Sequence, residues 1–298
     1  MTGAVRPATA ADLPVIAALG HGAVDQGEYP DATHGDVAHN LAALAAEPST
    51  AFVAVEDGAV VGYLVPQQND LYVAGPHRRC GHGTALVETA LPFVREVLRF
   101  PYLLLYVPPG DGPGRRFAEA RGFAYRASFF WMERPAGDPC PEPEFPPTVT
   151  ARPWDPARDD LERFVALLND SFADHPTPVS WTVAVIGAAH AAPDFDPADT
   201  HLVTPADEPD RPIAFCRARP YPADDPPYGE VKLIGVLPPW RGVGLGRALL
   251  RWGVLHLQGR GLPTTALAVS AGNERALRMY EAHGFRTAVE WPQWSRDA

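Results

Sequence analysis

One short motif occurs twice in this chain of 298 residues, and it limits the possible folds more than any other feature. Arg-x-x-Gly-x-Gly begins at Arg78 and again at Arg241, 163 residues later. A Gly-Phe pair follows each copy, at Gly122 and at Gly284, 162 residues apart. Because chance would not preserve the spacing between two landmarks, the sequence predicts that one domain occurs twice.

A proline-rich segment separates the two copies. Residues 135–147 contain six prolines in 13 positions. Proline fixes φ and removes the backbone donor, so neither a helix nor a central strand can persist there. The predicted organisation is an N-terminal domain at 1–134, a linker at 135–147 and a C-terminal domain at 148–298.

The pattern of elements also repeats around the motif. Each half is predicted to contain an opening helix, a pair of strands, a strand leading into the glycine turn, a helix, a strand, a short helix and a last strand. In the first half the pair of strands, 51–55 and 59–65, surrounds the hairpin signal Glu56-Asp57-Gly58. The predicted class is therefore α/β (α+β), with two layered domains in tandem.

Composition excludes several classes of function. The formal charge is -11, from 25 basic and 36 acidic residues, so general nucleic-acid binding would work against phosphate repulsion. No apolar run reaches the roughly 18–20 residues of a membrane helix, and the N-terminus lacks the features of a signal peptide, which predicts a cytoplasmic protein. The three cysteines, Cys80, Cys140 and Cys216, fit neither a disulfide framework nor a paired zinc-ligand spacing, and no metal is expected.

The repeated turn can hold a phosphate group. Glycines allow close backbone approach, and the N–H groups and dipole at the start of the following helix favour an anion. The dinucleotide fingerprint does not fit, because Leu86 and Leu249 stand where its third glycine would be. A glycine-rich strand-to-helix turn is also common as a purely structural feature, but two copies in register favour a phosphate-bearing ligand.

The order strand, Arg-x-x-Gly-x-Gly, helix, strand, and then the run from Asn273 to Phe285, resembles the Gcn5-related N-acetyltransferase (GNAT) family. The resemblance covers nearly the whole chain as a tandem pair. It implies acetyl-CoA as co-substrate, with its pyrophosphate on the amides of the turn, its pantetheine arm along one of two splayed central strands, and mixed sheets flanked by helices. The implied cofactor-binding residues are Ile234, Gly235, Val236, Arg241, Gly242, Val243, Gly244, Leu245, Gly246, Arg247 and Asn273, with Arg78, Arg79, Gly81 and Gly83 in the first half.

The same resemblance suggests which half is catalytic. Acetyl transfer to an amine needs a group that accepts a proton from the amine and one that donates a proton to the departing thiolate. Glu230 is the predicted base and Tyr280 the predicted acid, flanking the acyl carbon. The corresponding positions of the first half hold Gln67 and Ala118, which can do neither. The C-terminal half is therefore predicted to be catalytic, and the N-terminal half to be structural or to bind CoA without turnover.

The second half is further similar to the mycothiol-synthase group of the family, in residues 171–176, 181–182, 195–197 and 229–231. That group acetylates the cysteinyl amine of a glucosamine-inositol conjugate. The chain departs from the pattern at Thr177-Pro178 and at Ala268, and either Arg217 or Arg219 could supply an expected basic residue.

The predicted acceptor is thus a primary amine of a small molecule, with a different amine ranked above the mycothiol precursor itself. His175 is interpreted as a loop histidine in preference to a substrate contact. The alternatives are a non-catalytic acyl-CoA-binding sensor and an acetyltransferase of protein N-termini or lysines. Two fused domains can pack as an internal pseudo-dimer, which makes a monomer plausible.

Overall fold

The computed structural model describes residues 4–25, 44–45, 47–158, 161–174, 181–192, 195–224 and 226–298. The chain divides into two compact units. Unit 1 comprises Met1–Trp131 and Val289–Ala298, and unit 2 comprises Met132–Ala288. Strands and helices are mixed in both units, which confirms the predicted α/β class.

Unit 1 contains an antiparallel sheet in the order β1–β2–β3–β4. A second group of strands pairs β5 with the antiparallel β12. The apolar face of α2 packs in a core with β2, β3 and β5. The elements are β1 (Ala4–Pro7), α1 (Leu13–Asp25), β2 (Phe52–Glu56), β3 (Ala59–Val65), β4 (Asp70–Val73), α2 (His82–Glu96), β5 (Tyr102–Tyr106), α3 (Pro113–Ala120), β6 (Ala124–Pro135) and, from the end of the chain, β12 (Arg286–Asp297).

Unit 2 contains the strand order β7–β8–β9–β10–β11. Its neighbours are antiparallel except for the parallel pair β10–β11. The helix α6 packs on β9 and β10, and its Leu257 and Gly253 lie against β10. The elements are β7 (Val149–Pro153), α4 (Leu161–Ser171), α5 (Val183–His190), β8 (Thr200–Pro205), β9 (Ala214–Tyr221), β10 (Tyr228–Val236), α6 (Leu245–Gly259), β11 (Thr264–Ser270) and α7 (Glu274–Glu281).

The compact units do not follow the sequence-based boundaries at every point. Residues 289–298, assigned from the sequence to the C-terminal domain, belong to unit 1, and residues 132–147 belong to unit 2. Both long strands near these boundaries, β6 and β12, pass from one unit into the other. The unit to which a strand belongs depends on its pairing with strands far away in the chain. The positions of the prolines give no information about that pairing. Residues 136–148 contain neither helix nor strand.

None of the helices in the described part of the chain is long and apolar enough to span a bilayer.

Candidate active site

The glycine turn of unit 2 connects β10 to α6. A short 3-10 turn, Pro238–Trp240, follows β10, and two residues beyond it adopt left-handed backbone conformations. Gly242 has φ of 90° and Gly244 has φ of 98°, values that a side chain would strain. Gly244 directly precedes α6 and has no side chain to cap the helix. The first N–H groups of α6 therefore point out of the helix without intrahelical partners, as an anion site requires.

The Arg241 side chain holds this turn in place. Its Nε donates to the carbonyl of Val236 at 3.0 Å, and Nη2 donates to the carbonyl of Ser171 at 3.1 Å. The guanidinium also forms an ion pair with Asp174, which follows α4. These partners fix the turn to the end of β10 and to the end of α4. The predicted role of Arg241 as a cofactor ligand stays a prediction, because its side chain has these partners within the protein.

A cavity of about 1160 Å³ lies beside the turn. Gly235, Val243 and Glu230 are not among the residues that line it. A Cβ at Gly235 would lie 2.2 Å from a ring carbon of Phe215, so close packing requires glycine there. The predicted residues that line the cavity are Ile234, Val236, Arg241, Gly242, Gly244, Leu245, Gly246, Arg247, Asn273 and Tyr280.

The cavity wall is cationic although the chain is acidic overall. Six arginines line it: Arg134, Arg241, Arg247, Arg251, Arg275 and Arg278. Arg247 and Arg275 are exposed and carry no hydrogen bond or ion pair with any described residue. The sequence analysis missed Arg134, Arg251, Arg275 and Arg278. The signal for the last three was the concentration of basic residues on the two helices that precede the Gly-Phe landmark, while the chain as a whole has a charge of -11.

The helix α7 brings Tyr280 to the same cavity. Asn273 begins this helix as its N-cap, and its Oδ1 accepts from the backbone N–H of Ala276 at 3.2 Å. Tyr280 is partly exposed, towards the cavity that it lines. Burial, and next the neighbouring Cys216, raise the pKa of Tyr280. The phenol therefore keeps its proton at neutral pH and can donate it.

Glu230 lies where the two central strands separate. Among the described residues of β10 and β11, the parallel pairs are Gly229 with Thr265 and Glu230 with Ala266, and no pair follows them. The predicted splay of the central strands is thereby confirmed in unit 2. Glu230 is 3% exposed, and its Oε2 accepts from Lys232 Nζ at 3.0 Å and from the Tyr221 hydroxyl at 3.3 Å.

The register of β10 places Glu230 and Ile234 on different faces of the strand. Opposite residues of an antiparallel pair share a face. Glu230 pairs with Arg219 and Gly235 pairs with Phe215, whereas Ile234 pairs with Cys216 on the alternate face. Lys232 is the extra residue of a bulge in this register. Glu230 therefore lies on the face of β10 opposite to Ile234, which lines the cavity together with Tyr280.

Arg217 and Arg219, the alternatives that the sequence left open, both lie on the Glu230 face of β9. Arg219 is the register partner of Glu230, and Arg217 is the partner of Leu233. Ala268 is exposed on β11. His175 and Thr177-Pro178 lie outside the described residues.

The first-half residues form the corresponding turn of unit 1, and none of them is among the residues that line this cavity. Arg78 Nε donates to the carbonyl of Val73 at 2.7 Å. Arg79 and Gly81 have φ of 63° and 92°, respectively. A Cβ at Gly83 would lie 3.2 Å from the ring of Phe117. The counterparts of the predicted base and acid are Gln67, in the short 3-10 turn Pro66–Gln68, and Ala118, which is buried on α3.

A family model described as the Acetyltransferase (GNAT) family matches residues 21–123 and 154–285 of the chain. The chain therefore belongs to the GNAT acetyltransferase family, in a tandem arrangement, and is an acyltransferase. The resemblance predicted from the repeated motif is confirmed.

The most informative relatives share a name. The chain is 37% identical to the mycothiol acetyltransferase of Thermomonospora curvata over 260 residues, covering 84% of each protein. It is 38% identical to the mycothiol acetyltransferase of Frankia alni over 236 residues, covering 75% of this chain and 68% of the relative.

Solved structures support the fold of the whole chain. A GCN5-related N-acetyltransferase from Sphaerobacter thermophilus superposes with a TM-score of 0.74 at 22% identity, covering 99% of this chain and 95% of that one. A tandem GNAT protein from the clavulanic acid biosynthesis pathway superposes with a TM-score of 0.69 at 17% identity, covering 99% and 98%.

Proposed function

We propose that the protein transfers the acetyl group of acetyl-CoA to the primary amine of a small molecule, and that unit 2 carries the reaction. The observation that carries the proposal is that the glycine turn, unpaired arginines and Tyr280 line one cavity of about 1160 Å³. That volume suits a large ligand, and the cationic wall suits its phosphates.

The glycine turn suits the pyrophosphate of acetyl-CoA, and β10 suits its pantetheine arm. The open N–H groups at the start of α6 suit the pyrophosphate, and exposed Arg247 and Arg275 add positive charge beside them. The segment from Leu233 to Val236 pairs with β9 on one edge, and the described pairs with β11 stop at Glu230. Its other edge therefore offers backbone groups to a linear amide ligand such as pantetheine, as an added strand would use them.

The acceptor amine enters from the Glu230 face. The Glu230 carboxylate accepts a proton from the ammonium, directly or through one water, and the neutral nitrogen attacks the thioester carbonyl at the gap between β10 and β11. The carbon–sulfur bond breaks, the nitrogen loses its second proton to water, and Tyr280 gives its proton to the departing thiolate from the cavity side. Glu230 then releases the proton it took from the ammonium to solvent. The products are the N-acetyl compound and CoA, and the phenol regains a proton from solvent.

The relatives share the name mycothiol acetyltransferase, so the mycothiol precursor is one acceptor to be tested. The preference for a different amine rests on Thr177-Pro178 and on Ala268, which is small and exposed beside the gap. A small residue there leaves room for an acceptor of another shape. An amine panel should accordingly contain the cysteinyl glucosamine-inositol conjugate, simple aminosugars, and a peptide with a free N-terminus and a lysine.

Thiol release from acetyl-CoA tests the proposal directly. The intact protein should release CoA only when an acceptor amine is present, and mass spectrometry should find that amine heavier by one acetyl group. Binding of acetyl-CoA in calorimetry without release against any amine would favour the sensor instead. Absence of any binding would remove the proposal, and release only with the peptide would move the acceptor to proteins.

A further inference from the structure

A second cluster of chemistry-bearing side chains lies in unit 1, at the other glycine turn. Glu56 ends β2, His77 ends the 3-10 turn Gly75–His77, and His82 is the first residue of α2. One ligand atom of each lies within 4.8 Å of the other two. His77 Nδ1 contacts Glu56 Oε2, and His82 Nε2 lies 3.5 Å from the same oxygen.

His82 is the observation that demands an explanation. It is 2% exposed; among the described residues its Nδ1 has no hydrogen-bond partner, and its Nε2 has only the long contact of 3.5 Å with Glu56 Oε2. Buried polar groups are paired in nearly all cases, because an unpaired one loses its hydration without compensation. The position that corresponds to His82 in unit 2 is Leu245, which is 1% exposed. An imidazole therefore occupies a place where the repeated fold accepts a hydrocarbon side chain.

A metal ion bound by the cluster would give the imidazole of His82 the partner that it lacks. Imidazole nitrogens and a carboxylate are the usual ligands of Zn²⁺ when thiolates are absent, and three protein ligands leave one position for water. A cation at the start of α2 would meet the positive end of the helix dipole. The negative charge of Glu56 offsets this repulsion, which gives the carboxylate a specific part in the cluster.

We propose that Glu56, His77 and His82 form a binding site for one divalent ion of the Zn²⁺ class in unit 1. The ion fastens the end of β2 to the glycine turn and to the start of α2, so it acts on the half that lacks the base and the acid. The proposal departs from the expectation of no metal. The spacing hid the site, since Glu56 lies 21 residues before His77 and the two meet only through the fold.

Metal binding by the untagged, chelator-stripped full chain tests this site. Titration with ZnCl₂ in competition with a chromophoric chelator should find one tight site per chain. His82→Leu should weaken it at least about tenfold, and this variant keeps the packing because it installs the residue of unit 2. Bound Co²⁺ should give the visible absorption of a four-coordinate site in the wild type and lose it in His82→Leu.

Two further variants complete the test. His256→Ala is the matched control, because His256 contacts Asp199 at 2.6 Å as an imidazole–carboxylate pair, to which the described residues add no third metal ligand. It should leave the affinity unchanged, and Glu56→Gln should lower it. Cys80 lies between the two histidines in the turn and could itself bind the ion as a thiolate. Cys80→Ser tests this alternative, because it removes the thiol and keeps the two histidines and Glu56. Equal binding by wild type and His82→Leu, or binding that depends on Cys80 alone, would overturn the proposal, whatever the acetyltransferase assay gives.

Discussion

The two glycine turns have the same backbone and different surroundings. In unit 1, Arg78 Nε donates to the carbonyl five residues before it, and in unit 2 Arg241 does the same. Each turn has two residues with left-handed φ, Arg79 and Gly81 or Gly242 and Gly244. The arginine and the glycines of the motif therefore specify a turn geometry, and this geometry occurs in both units although the residues around it differ.

The surroundings separate the two turns. The ring of Phe117 would lie 3.2 Å from a Cβ at Gly83, whereas at Gly246 the nearest atom, Met279 Sδ, would be 3.9 Å away. The position four residues before the Gly-Phe pair is the buried Ala118 in unit 1 and the cavity-lining Tyr280 in unit 2. A copy of the motif thus indicates a fold, and the groups packed around it decide whether it can serve a reaction.

Substituting the predicted base should change kcat more than any other variant, and the matching substitution in unit 1 should not change it. We expect Glu230→Gln to lower kcat by roughly 10²–10⁴, the usual worth of general acid–base help, with little change in the KM of acetyl-CoA. Steady-state CoA release measures both. Gln67→Glu is the matched control in unit 1 and should neither add nor restore turnover. Unchanged turnover in Glu230→Gln would remove Glu230 from the mechanism.

Removing the hydroxyl of Tyr280 should have the next largest effect. Tyr280→Phe keeps the ring that packs near Phe285 and loses only the proton donor, so kcat should fall about 10²-fold, the lower end of the usual contribution of general acid–base help. Burial raises the pKa of Tyr280. The wild type should therefore lose no kcat through ionisation of this phenol up to about pH 10, the usual pKa of a tyrosine. Pre-steady-state CoA release checks the chemical step. A Tyr280→Phe enzyme with the wild-type rate would place the acid elsewhere.

Charge removal tests which turn holds acetyl-CoA. We expect Arg247→Ala to weaken acetyl-CoA binding about tenfold, since a charge-assisted hydrogen bond contributes about 1.5 kcal/mol. Arg79→Ala, at the turn of unit 1, should leave the measured affinity unchanged. Isothermal calorimetry gives both values and the stoichiometry. Two equivalents of ligand, or a loss confined to Arg79→Ala, would show that the turn of unit 1 binds the co-substrate.

Acid should act on the two units in different pH ranges. Burial lowers the pKa of His190 and of His201 in unit 2 from 6.5 to about 4, so the unfolded chain binds more protons between these values. Stability of unit 2 should therefore fall as the pH drops from 6.5 towards 4. In unit 1, hydrogen bonding to Arg6 holds the pKa of Asp12 below its usual 3.8, and that stability is lost only below about pH 3.8.

Hydrogen exchange at several pH values measures the two units separately. His201→Phe keeps a ring on Trp252 and removes one titrating group, so it should reduce the loss in unit 2 between pH 6.5 and 4. An unaltered acid response in this variant would contradict the assignment to His201.

The smallest expected effect concerns backbone strain in the turn of unit 1. Arg79 has φ of 63°, where a side chain costs about 1 kcal/mol. Arg79→Gly should relieve this strain and so stabilise the folded state. Glycine also gives the unfolded chain more conformational freedom, which offsets part of that stabilisation, so the free energy of unfolding should rise by less than ~1 kcal/mol. Urea denaturation measures it. Gly244→Ala in unit 2 is the converse change and should destabilise, because its φ is 98°.

Much of the fold could be predicted because it depends on local patterns. The strand, turn and helix around each motif follow from glycines, apolar periodicity and fixed spacing, and the structure has them at 70–96 and 228–259. The assignment of residues 289–298 to unit 1 could not be predicted in this way. Residues 289–298 look like the end of the second domain in the linear pattern, and only their pairing with β5 assigns them to unit 1.

The candidate site divides in the same manner. The glycine turn was predicted from the repeated motif and Tyr280 from the family resemblance, and the structure brings them to one cavity. The sequence did not indicate that Glu230 lies on the other face of β10, because a bulge at Lys232 shifts the alternation of side chains between Val231 and Leu233. Nor did it indicate the intramolecular partners of Arg241, since Asp174 lies 67 residues away along the chain.

By itself the sequence determined the repeat, the two turns and which half kept a carboxylate and a phenol, because these depend on residue types at fixed spacings. Only the tertiary structure decided which strand completes which unit, which arginines line the cavity, and that Glu56 lies beside His77 and His82. The physical reason is that strand pairing and side-chain packing join residues far apart in the chain, and their free energy depends on the whole fold.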